Sequence, residues 1–205
     1  MKDAAWPMFA AAVLFTVSAV AAEPKIDPAV WALAEKHWGK RDPKNWRGLR
    51  GLHAMRSNRL KKTLKGWDAY VVAVSNPMAV RTGRPTFLHA LVVKDGKAVH
   101  LTSDKSAADF FTGLKVTVRD AGEALDLVMC FAELRSYGPQ LKPLTAKPED
   151  WTVVVEEGKN GWTVRCTFVL DPNISYCVRY TVHVARDGKL EAKSGRQVCI
   201  RGGYM

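Results

Sequence analysis

Cysteine is scarce in this chain, at four among 205 residues, and no two form a Cys-x-x-Cys pair. That spacing excludes a zinc ribbon. Also missing are Gly-x-Ser-x-Gly, His-Glu-x-x-His and a phosphate-cradling glycine loop. Their absence removes the usual serine-hydrolase, zinc-protease and nucleotide-binding signatures. The five histidines (His37, His53, His89, His100 and His183) are scattered without metal-ligand spacing. No catalytic residue, metal or cofactor is therefore assigned. Acids are also few, 20 against 31 Lys and Arg, for a net charge of +11. Hydrophobic residues at 47% and charged residues at 25% exclude a disordered tail, a collagen-like repeat and a multi-span membrane protein.

Residues 4–22 carry no charge, with an apolar run from Met8 to Val17 and small residues from Ser18 to Ala22. This reads as a signal peptide over 1–22, cleaved after Ala21 or Ala22. The alternative is an uncleaved anchor, since the run approaches the ~20 residues needed to span a bilayer; Pro7 and the small-residue end favour cleavage. A secreted or periplasmic location follows as an expectation. In that setting four cysteines suggest two disulfides, and strand geometry ranks Cys130–Cys166 and Cys177–Cys199 first. Asn173-Ile174-Ser175 matches a glycosylation acceptor in a eukaryotic host.

Asp27-Pro28 caps a helix over about 28–38, with Val30, Trp31, Leu33, Ala34 and Trp38 at helical spacing and Gly39 closing it. Residues 39–66 are cation-rich, with only a short helix around 54–64 suggested. Strands are expected at 69–74, 86–93, 97–102 and 115–118, with Asp95-Gly96 as a two-residue hairpin turn. Asp120 and Glu123 cap an amphipathic helix bearing Ala124, Leu125, Leu127, Val128, Phe131 and Leu134. After a proline- and lysine-rich loop at 139–150, four strands follow at 151–156, 162–170, 176–185 and 190–200. Short links imply an antiparallel meander. Trp162, Val164, Cys166, Phe168 and Leu170 share one face, as do Val178, Tyr180, Val182 and Val184, so the Asp120 helix should cover that face.

The expected fold is α+β, helices packed on an antiparallel β-meander. The chain divides into 1–22, an N-terminal helix and basic segment at 23–66, and an α+β domain at 67–205. An offset of 92 aligns Asp95-Gly96-Lys97 with Asp187-Gly188-Lys189, Tyr70 and Val72 with Trp162 and Val164, and Ala32-Leu33 with Ala124-Leu125. A split near residue 120 into two related helix-plus-sheet halves is the competing division.

Charge is concentrated. From Lys36 to Lys65 eleven cations face one acid, Asp42, which makes that stretch +10. Lys44, Trp46, Arg47, Arg50, Arg56, Arg59, Lys61, Lys62 and Lys65 are the candidate polyanion contacts, with Trp38 and Trp67 bordering them. Cations neutralise phosphates, sulfates or carboxylates, and flat rings stack on bases or sugars. The partners implied are an anionic surface, a polysaccharide, a nucleic acid or an acidic protein. The competing view of the same stretch is a solvated basic arm. A non-enzymatic binding module is thus the first functional reading. The second is an enzyme with a deep pocket in the sheet concavity holding His183 and Glu191; the third is a structural, envelope-associated protein.

Overall fold

The computed structural model describes residues 26–40, 48–74, 87–135, 150, 152–171 and 176–199. The leader at 1–22, the acceptor Asn173-Ile174-Ser175 and nearly all of the 139–150 loop lie outside the described residues. The elements run α1 (Pro28–Trp38), β1 (Leu49–Ala54), α2 (Asn58–Leu64), β2 (Asp68–Val74), β3 (Phe87–Lys94), β4 (Lys97–Leu101), α3 (Asp104–Gly113), α4 (Ala121–Arg135), β5 (Val154–Gly158), β6 (Gly161–Asp171), β7 (Tyr176–Ala185) and β8 (Leu190–Cys199). Strands β1 to β4 form one antiparallel meander, sheet A, and β5 to β8 form another, sheet B. The result is an α+β fold of two similar halves. Among the described residues no helix is long and apolar enough to cross a membrane.

Local chemistry sets the element ends. Asp27 Oδ1 accepts from the Ala29 N–H at 2.8 Å, and the Gly39 N–H donates to the Glu35 carbonyl at 2.8 Å, so both ends of α1 are closed as its sequence predicts. At α4, Asp120 Oδ1 accepts from the Glu123 N–H at 2.8 Å. Glu123 reaches back one residue further than a standard capping box, to the Arg119 N–H at 2.8 Å. Asp95 and Gly96 both take positive φ, 49° and 70°, as a type I′ turn requires.

The layers follow from which strand faces are apolar. One face of sheet A (Leu49, Leu52, Val72 and Leu91) packs against Val30 and Ala34 of α1. The opposite face (Ala69, Ala90, Val92 and Leu101) joins the main core. A sheet covered on both sides gives nearly continuous apolar strands, and β2 and β3 read so. The main core holds α2, α3 and α4 between sheet A and the inner face of sheet B. Phe111, Phe131, Phe168 and Tyr180 carry it across α3, α4, β6 and β7, with successive ring centroids 6.3, 5.9 and 4.4 Å apart. Each such buried ring is worth about 1.5–3 kcal/mol of transfer free energy. The outer face of sheet B carries Thr163, Arg165, Arg179, Thr181 and His183, matching the alternation in the sequence.

Several expectations fail. Lys115–Val118 is not a strand; it passes beside the β7–β8 turn, where the Val118 N–H donates to the Arg186 carbonyl at 2.9 Å. Helix α3 was not foreseen, nor was β1 within the basic segment. Strand β5 begins at Val154 rather than Trp151.

The Cys130–Cys166 bridge is not formed; both are buried thiols. The cause is the rotation of α4 about its axis. Phe131 is the residue turned toward Phe168 of β6, while Cys130 points to α2 and donates to Thr63 Oγ1 at 3.2 Å. The Cys177–Cys199 pairing needs the two residues opposite one another. Instead Cys177 faces Val198, and Cys199 faces Tyr176. A bulge between Val178 and Tyr180 exists, but it leaves these pairs one residue out of the required register. The Cys199 side chain lies outside the described residues.

Candidate functional site

The basic segment is built into the fold. Ser57 Oγ caps α2 by accepting from the Leu60 N–H at 3.2 Å. Leu60 and Leu64, one turn apart, are buried in the main core. That burial turns Lys61, Lys62 and Lys65 outward, and Arg56 at the entry to α2 is exposed as well. Lys65 takes a left-handed conformation (φ 42°) as the C-cap. Its carbonyl accepts from Lys94 Nζ at 3.2 Å, which brings a cation from β3 to the same end of the helix.

The nine predicted contacts therefore separate. Arg56, Lys61, Lys62 and Lys65 share this surface. Arg59 does not belong to the free group: it bridges to Asp126 at 3.3 Å and Glu133 at 3.0 Å on α4. Arg50 lies in β1 with its side chain outside the described residues, as are Lys44, Trp46 and Arg47 entirely. The bordering tryptophans are spent on packing. Trp67 meets Phe110 edge-on at 5.2 Å, and Trp38 packs among histidines. Lys94, which the sequence did not single out, is a cross-strand neighbour of Lys97 beside the hairpin turn.

The surface around His183 differs from the deep pocket expected of an enzyme. It is an open groove of about 410 Å³ lined by Trp162, Thr163, His183, Lys189 and Glu191 among others. His183 and Glu191 are directly opposed across β7 and β8. Both are exposed. His183 Nδ1 lies 3.0 Å from Thr163 Oγ1, and Glu191 pairs with Lys189 at 2.6 Å. The Lys189 ammonium holds the Glu191 carboxyl below the usual carboxylate range. An exposed carboxylate paired to a lysine that outweighs its slight desolvation is not raised toward a general base near neutrality. Cys166 lies on the opposite face of the sheet from His183. Burial also pushes the Cys130 and Cys166 thiols up to about 12, which leaves them without nucleophilic thiolate.

Three of the supposedly scattered histidines gather. His37 and Trp38 end α1, while His89 on β3 and His100 on β4 share the sheet A face beneath it. His37 stacks on His100 with centroids 3.9 Å apart and planes 11° apart. Trp38 stacks over His89 at 5.9 Å and meets His100 edge-on at 4.8 Å. His100 Nδ1 is buried and has no hydrogen-bond partner among the described residues. Burial and then His37 lower the His100 imidazole to about 4. Burial, Arg135 and His37 lower His89 in the same direction. The hairpin at Asp95-Gly96 already implied that residues 89 and 100 share a face; that α1 would bring His37 onto that face was not visible in sequence. Among the described residues no group of three or more His, Cys, Asp or Glu side chains is arranged to hold a metal ion. In comparisons with known proteins, no family model, curated protein or solved structure matches this chain.

Proposed function

We propose that this protein is an exported, non-enzymatic binding protein that contacts polyanions through the surface of α2. One observation carries the reading: Arg56, Lys61, Lys62 and Lys65 are exposed around a helix fixed to the core by Leu60 and Leu64, and none is in an ion pair among the described residues. Lys94 adds a fifth cation at the C-terminal end of that helix. Cations held on a rigid element keep their spacing, so less ordering entropy is lost when they meet a polymer of phosphates or sulfates. Export is supported by the leader-like run at 4–22.

The test is binding of heparin and of a single-stranded oligonucleotide across a salt series. Binding should weaken steeply as salt rises, because neutralised charges release counterions. The double variant Lys61→Ala/Lys62→Ala should reduce the logarithmic salt slope for the oligonucleotide by roughly 1.4, at about 0.7 per contact. Its stability should stay within about 0.5 kcal/mol of the parent, as both side chains are exposed. No binding to either polymer at low salt, or binding indifferent to salt, would remove the reading.

A further inference from the structure

We propose that His37, Trp38, His89 and His100 form an acid-sensitive latch that holds the end of α1 on sheet A at neutral pH and releases it on mild acidification. His37 is exposed at the last turn of α1, yet its ring lies flat on His100 at 3.9 Å. Trp38 is held in the same cluster by both strand histidines. Two stacked imidazoles this close attract only while at least one is neutral; two imidazolium rings repel.

The group acting on His100 is His37, and it disfavours the charged form. Arg135, at the end of α4, and His37 both act on His89 in the same direction. Arg135 is itself tied to Asp104 at 3.0 Å. At the end of α1 the flanking charges are Lys36 and, just beyond the helix, Lys40, both exposed, and Glu35, half-buried. The aspartates Asp27 and Asp68 act on Tyr70 instead. The sign follows directly. An imidazole lowered on folding is neutral in both states above its ordinary value of 6.5. As pH falls from 6.5 towards about 4, the detached or unfolded form takes the proton first, so attachment weakens across that interval.

Release would uncover Trp38 and part of the apolar face holding Leu91 and Val72. The latch stands or falls independently of polyanion binding, because its readout is the attachment of α1.

The experiment is amide exchange and imidazole titration of the full chain by NMR, from pH 7.0 to 4.5. Exchange rates are corrected for their intrinsic pH dependence. Each pH unit by which folding displaces a titration is worth tenfold, and about two units of the His100 displacement lie above pH 4.5, so protection of amides 34–38 should fall by up to about a hundred-fold while β6 keeps its own. His100→Phe, which retains a ring for His37 to stack on, should flatten that fall. Unchanged α1 protection at pH 4.5, or loss of α1 and β6 together, would overturn the latch. So would a His100→Phe variant that still releases α1 at the same pH. Should that variant fail to fold, the parent decides: a fall in α1 protection that follows the His100 titration supports the latch, and a fall centred at a different pH, or a His100 midpoint at or above 6.5, refutes it.

Discussion

Cys130 and Cys166 are buried in the same core and point to different neighbours. The side chain on either side of a helical residue is about 100° away around the axis, so a small rotation of α4 decides whether residue 130 or 131 meets sheet B. Phe131 takes that place because a ring fills the space beside Phe168. Placing Cys130 on the edge of an apolar face was within reach of the sequence; choosing its partner was not. Both thiols should be inert. In native protein at pH 8 they should react with Ellman's reagent at least about 100-fold more slowly than in denatured chain, since a thiol pushed up to about 12 offers almost no thiolate. Rapid reaction of either in the folded state would contradict the burial described. With these two unbridged, the export reading rests on the leader sequence rather than on disulfides.

The two Asp-Gly turns look alike in sequence and differ as elements. Asp95-Gly96 closes β3 and β4 in the open, and a Cβ at Gly96 would meet nothing within 4 Å. Gly188 has φ 80°, and a Cβ there would sit 2.1 Å from the Val116 carbonyl oxygen. The stretch expected to be a strand at 115–118 is the reason, because it crosses directly beside the second turn. Gly96→Ala should cost about 1 kcal/mol, the conformational penalty alone. Gly188→Ala should cost more, about 2–3 kcal/mol, because backbone must shift as well. Urea midpoints of the two variants give the comparison, and equal costs would contradict the packing at Val116. Helix α3 escaped notice for a different cause. Its cap is Ser103 with Ser106, each side chain bonding the other's backbone N–H, in place of the more familiar acidic partner. Its buried residues Ala107, Ala108, Phe110 and Phe111 form a short cluster, easily mistaken for the end of a strand.

At the scale of the whole molecule a part-buried polar junction beside the main core helps tie the halves together. Asp104 at the start of α3 accepts from Arg135 Nε of α4 at 3.0 Å and from the Tyr180 hydroxyl of β7 at 2.8 Å. Arg135 also donates to the Leu101 carbonyl of β4 at 3.3 Å. Asp104→Asn keeps the shape and removes the charge opposite a guanidinium only 15% exposed. It should destabilise the protein by about 1–3 kcal/mol in thermal or urea unfolding; an unchanged midpoint would show that the junction contributes nothing. The layers run α1, sheet A, the α2–α4 layer, sheet B, so each sheet receives a helix on one side, and sheet A receives helices on both. The outer face of sheet B carries threonines and paired charges, such as Arg165–Glu156 at 2.5 Å, and Arg179 on it donates to the Asp150 and Thr152 carbonyls. The sequence by itself determined the α+β class, the caps of α1 and α4, the Asp95-Gly96 hairpin and the inward faces of β6 and β7. These depend on short-range backbone chemistry and on a period of two or 3.6, which neighbours along the chain encode. Tertiary structure alone decided the rotation of α4, the commitment of Arg59 to acids 67 and 74 residues away, and the meeting of His37 with His100. Each of those joins residues distant in sequence, where the outcome depends on how already formed surfaces fit against one another.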